Sequence, residues 1–65
     1  MPHLSITPGE ATLVRELLQV ALLELRREIW HTDTREFRQG LLERQHTIEH
    51  LIEEFQQHER ELQLQ

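Results

Sequence analysis

The run from Pro8 to Trp30 meets no helix-stopping residue after its opening Pro-Gly, and the first stop lies in His31-Thr32-Asp33-Thr34. This single interruption constrains the chain more than any other feature. Asp33 with Glu36 three residues on, or Thr32 as an alternative cap, supplies the signal for a second helix start. A link of two or three residues makes the second helix fold back antiparallel on the first.

The first helix announces its own start. Thr7-Pro8-Gly9-Glu10 combines a capping hydroxyl, a proline suited to the first helical position and a glutamate placed to close a capping box. Ile6 is placed to staple onto Ala11. Beyond it, Ala11, Val14, Leu18, Ala21, Leu25 and Ile29 recur at steps of three and four, widened by Leu17 and Leu22. Arg15, Glu16, Gln19, Arg26 and Arg27 take other sides. Phe37, Leu41, Ile48, Leu51, Ile52, Phe55 and Leu62 repeat the periodicity after the break.

These observations predict an all-α fold, one antiparallel two-helix hairpin spanning residues 1–65. Its parts are a flexible arm at 1–6, helix 1 at 8–31, a turn at 32–33, helix 2 at 34–60 and a fraying tail at 61–65. A symmetric register about the turn sets Ile29 against Phe37, Leu25 against Leu41, Leu18 against Ile48, Val14 against Ile52 and Ala11 against Phe55. By that register the Glu- and Gln-rich stretch from Glu59 onward has no partner within the chain.

The sequence is richer in apolar positions than one hairpin needs. Leu23 and Trp30 lie seven residues apart on the side of helix 1 away from its main stripe, Leu13 and Val20 mark a further flank, and Leu42 is off the stripe of helix 2. Scattered surface leucines are ordinary. A second hairpin covering these positions explains them better, so the expectation is a homodimer forming a four-helix bundle, with Leu23, Trp30 and Leu42 at its interface. Size points the same way, because 65 residues with no Cys lack both a large core and a disulfide to reinforce it.

The segments Glu24-Leu25-Arg26-Arg27-Glu28-Ile29, Thr32-Asp33, Glu36-Phe37-Arg38 and Leu41-Leu42-Glu43-Arg44 cover roughly half of the chain. Together they resemble small bacterial two-helix proteins of uncharacterised function built around a Thr-Asp turn. The resemblance implies a stand-alone bacterial helical hairpin, and it carries no activity, ligand or site residue with it.

Chemistry has few footholds. His46-Thr47-Ile48-Glu49-His50 matches the letters H-x-x-E-H, in which two His on one helical face bind zinc beside a general base. His46 and His50 are thus weak metal candidates, with Glu54 a turn further on. Two helices offer neither a walled cleft nor a third ligand from another element, and the plainer reading is two solvated histidines. Arg44 falls within the stripe of helix 2, where a buried guanidinium needs a carboxylate, and Glu24 or Glu28 would provide it. Snorkelling to solvent is the alternative. Gly40, inside helix 2, implies either a close helix approach, with Trp30 filling space beside it, or a tolerated cost. Glu49, Glu53, Glu54, Glu59 and Glu61 read as a solvated acidic face, or as a docking surface for a basic partner.

The chain has no Lys or Tyr, its single Ser is Ser5, and it has no glycine-rich phosphate loop. No enzyme and no cofactor are expected. A net charge of −5, from 12 acidic and 7 basic residues, speaks against nucleic acid. No apolar run is long enough for a membrane, and Met1–Leu4 lacks the features of a signal peptide, so a cytoplasmic location is expected. The function expected is protein–protein interaction by a self-associating coiled-coil-like hairpin. The alternative is a regulatory or antitoxin-like protein that neutralises a basic partner, and a metal-dependent enzyme rests on His46 and His50 alone.

Overall fold

A computed structural model describes residues 5–63, and the ends of the arm and tail expected at 1–6 and 61–65 lie partly outside it. The chain forms two α-helices, α1 (Pro8–His31) and α2 (Arg35–Gln63), that pack against each other as an antiparallel hairpin. It measures 47 × 23 × 15 Å, so a single layer of two helices leaves the back of each in solvent.

The start of α1 is the predicted capping box. Thr7, in extended backbone conformation, accepts from the Glu10 N–H at 3.1 Å, and the Thr7 N–H donates to the Glu10 carboxylate at 2.8 Å. The backbone hydrogen bond from Thr7, helped by its hydroxyl, holds the Glu10 carboxyl below its ordinary value. Ala11 is completely buried and Ile6 half-buried.

At the other end Thr32 leaves the helical region (φ −95°, ψ 120°), while its N–H donates to the Ile29 carbonyl at 3.3 Å and its hydroxyl to the Glu28 carbonyl. Thr32 therefore closes α1 instead of opening α2. The Arg38 N–H donates to the Thr34 carbonyl at 2.9 Å, which makes Thr34 the capping position of α2. Neither Asp33 nor Thr32 caps α2 as expected, and the helix begins at Arg35, one residue later, and runs to Gln63, three residues further than expected.

The core is small: Ala11, Leu22, Leu25 and Ile29 from α1 meet Leu41 and Ile52 from α2. Leu25, Ile29 and Leu41 form its centre, with half-buried Ile48 packed on it. The register differs from the symmetric one. Leu25 and Leu41 share the centre as expected, but Ile29 is there with them where Phe37 was its expected partner, and Ile48, expected opposite Leu18, packs on the same cluster. Arg15 pairs with Glu59 and Arg26 with Glu49, where the symmetric register would place Leu51 and Gly40. At these ion pairs the slip amounts to a little over two helical turns toward the C-terminal end of α2. Its cause lies at the turn: every residue from Asp33 to Gly40 is exposed, so the start of α2 extends past the end of α1 before packing begins at Leu41. Phe37, assigned to the core stripe, is left 62% exposed. The same slip gives the later part of α2 a partner, and Glu59, expected to be unpartnered, is held by α1.

Candidate interaction surface

Two polar seams flank the core and define the sides of the hairpin. On one, the Arg15 Nε donates to Glu59 Oε1 at 2.6 Å and the Thr12 hydroxyl to Glu59 Oε2 at 3.1 Å, while Gln19 accepts from the other side of Arg15 at 3.0 Å. The Glu59 carboxyl is pulled below its ordinary value, chiefly by the Arg15 hydrogen bond, against a smaller opposing effect of desolvation. Arg15 and Glu59 are largely shielded, which makes this pair the firmer of two. Arg26 and Glu49, further along the seam, are 3.4 Å apart and about half exposed, a pair of small energetic weight.

The opposite seam carries Glu24 and Glu28 from α1 and Arg44 from α2 around a shallow hollow with Ala21, Leu25 and Ile48. Arg44 is exposed and, among the described residues, makes no ion pair within 4 Å. Its guanidinium snorkels to water and the expected buried pair with Glu24 or Glu28 is not formed. Gly40 likewise faces open space: a Cβ built there meets nothing within 4 Å, and Trp30 does not fill it.

The outward face of α1 is where the molecule is unusual. Leu13, Leu17, Val20 and Leu23 are 53–65% exposed and Trp30 is 85% exposed. Leu17, assigned to the inward stripe, belongs to this outer one. Residues 13, 17, 20, 23 and 30 recur at helical spacing, so they form a continuous stripe roughly opposite the buried line of Ala11, Leu22, Leu25 and Ile29. Leu42 of α2, one heptad before Glu49, lies along the seam that Arg26 closes, and Arg26 stands between Leu23 and Trp30. Leu42 is itself 37% exposed, less than Leu23 and Trp30. By contrast the back of α2 is polar, with Glu36, Gln39, Glu43, His46, His50, Glu53, Glu54 and Gln57 exposed.

On that polar back, His50 Nε2 lies 3.8 Å from Glu54 on a pair of exposed side chains, and His46 lines a surface depression with Gln39, Leu42 and Glu43. No group of three or more His, Asp or Glu among the described residues is arranged to hold a metal ion. His58, half-buried, has its Nε2 shielded with no hydrogen-bond partner among the described residues. Among those residues no helix is long and apolar enough to cross a membrane.

The sequence reading missed the Arg15–Glu59–Thr12 clasp because the symmetric register put Glu59 beyond the end of helix 1. The signal was present as the opposite charges of Arg15 and Arg26 against Glu59 and Glu49, which align only in the slipped register. Comparison with protein-family models, with curated proteins and with solved structures yields no match to this chain.

Proposed function

We propose that this protein is a non-enzymatic interaction module, a helical hairpin that self-associates through the outer face of α1 into a four-helix dimer with the two α1 helices back to back. The observation that carries the reading is the stripe of Leu13, Leu17, Val20, Leu23 and Trp30, five large apolar side chains each more than half exposed. Such a stripe on one helix back, beside a polar back on the other, is the pattern of a face that pairs. The small core supports it, since among the described residues no side chain apart from Ala11 is fully removed from water, and a two-helix hairpin with so small a core needs further burial to offset the ordering of its backbone. A second hairpin supplies that burial.

Sedimentation equilibrium at micromolar concentration tests the reading. The expected result is a dimer whose melting temperature rises with protein concentration, and whose association is lost in Leu23→Glu/Trp30→Glu with helicity retained. A wild-type monomer with a concentration-independent melting temperature overturns it.

A further inference from the structure

The outer stripe of α1 is not purely apolar. Glu16 and Arg27 fall on its midline, and the series Leu13, Glu16, Val20, Leu23, Arg27, Trp30 advances by 3, 4, 3, 4 and 3 residues, a heptad seam of its own. Both charged residues are exposed, and among the described residues neither makes a hydrogen bond or an ion pair. A partner covering the stripe would bury a carboxylate and a guanidinium with nothing from the hairpin to neutralise them, an arrangement that costs several kcal/mol unless the partner compensates each. The occupant must therefore present a cation opposite Glu16 and an anion opposite Arg27.

Resting on the self-association reading above, we infer that the occupant is a second copy of this chain with its α1 antiparallel, related by a two-fold axis at the level of Ala21 and Leu22. The spacing is symmetric about that point. Reversing the seam sets Leu13 on the partner's Trp30, Val20 on the partner's Leu23, and Glu16 on the partner's Arg27, each contact occurring twice as an isologous interface demands. Both buried charges are then satisfied by the chain's own sequence. A parallel pairing in register places Glu16 against the partner's Glu16 and Arg27 against the partner's Arg27, and like charges across an interface oppose association. The charge order selects the antiparallel arrangement.

Charge reversal in the full chain tests this. Glu16→Arg and Arg27→Glu each convert two attractive contacts into two repulsive ones in the antiparallel dimer, and each is expected to raise the dimer dissociation constant at least about tenfold at ~0.1 M salt. The double variant Glu16→Arg/Arg27→Glu restores the pairing and is expected to return the constant to within about threefold of wild type. Helicity should be unchanged throughout, because neither side chain takes part in the contacts between α1 and α2. Single reversals that leave a wild-type dimer intact overturn the antiparallel register while self-association stands, as does a double variant that fails to recover. A wild-type monomer instead removes the self-association reading itself.

Discussion

Gly40 is the position at which the physical argument makes its sharpest prediction. It lies inside α2, five residues past the helix start, with a backbone φ on the ordinary negative side. A methyl group added there meets nothing within 4 Å. Gly40→Ala therefore keeps the native conformation, removes no contact and causes no clash, so only the difference in backbone freedom between the two residues remains. That difference is about 0.8–1 kcal/mol in favour of Ala in a helix interior. For a domain of this size, 1 kcal/mol corresponds to a rise in melting temperature of roughly 4–8 °C. Thermal denaturation followed by circular dichroism, with wild type and variant at one protein concentration, measures it. Gly9→Ala is the natural control: its Cβ would stand 4.0 Å from the Thr7 hydroxyl at the first turn, where fewer intrahelical bonds depend on the residue, and the gain there should be smaller. An unchanged or lowered melting temperature for Gly40→Ala would refute the reasoning. It would mean that another surface approaches the helix at this point, so that the glycine serves a close contact.

Leu25→Ala, at the centre of the core and 5% exposed, should destabilise by about 2–4 kcal/mol, more than Leu18→Ala at a half-buried site; equal losses in chemical denaturation would contradict the observed register. Because the Glu59 carboxyl is depressed below its ordinary value of 4.5, its stabilisation is fully present above that pH and is lost as pH falls through the lower folded value. Arg15→Ala should therefore flatten the acid limb of the stability curve below about pH 4.5, and an unaltered limb would show that the clasp does not form. His46→Ala/His50→Ala should change stability by no more than about 0.5 kcal/mol, with zinc shifting neither protein's melting temperature; tight stoichiometric zinc in the wild type would revive the metal reading.

The helices were legible in the sequence because their signals are local. Thr7, Pro8 and Glu10 lie within four residues of one another, and a hydroxyl, a fixed φ and a carboxylate at that spacing have one common solution, the capping box observed. The bounds of α1 follow from that cap and from the Thr32 stop. The start of α2 was less legible because three candidates for its cap, Thr32, Asp33 and Thr34, are adjacent. Thr32 is drawn to α1 by two bonds to the carbonyls of Glu28 and Ile29, and this displaces the start of α2 to Arg35.

The register was not legible for a related reason: it depends on how far the link carries the chain past α1 before α2 turns back, a quantity that the periodicity of either helix leaves undetermined. With stripes repeating every three or four residues, a slip by a turn still lays apolar residues on apolar residues. Apolar patterning cannot discriminate between such registers, and the charged flanks can. Arg15 and Arg26 on α1 find Glu59 and Glu49 on α2 only after the slip. The outer seam obeys the same logic. Leu13, Val20, Leu23 and Trp30 establish that the outer face of α1 is suited to pairing, yet apolar side chains alone accept either direction of approach. Glu16 and Arg27, placed symmetrically about Ala21 and Leu22, distinguish the directions, because reversal exchanges their positions and leaves opposite charges facing each other. In this hairpin, then, hydrophobic spacing decides which faces meet, while the order of charges along those faces decides their alignment, within the chain and in the proposed pair of chains alike.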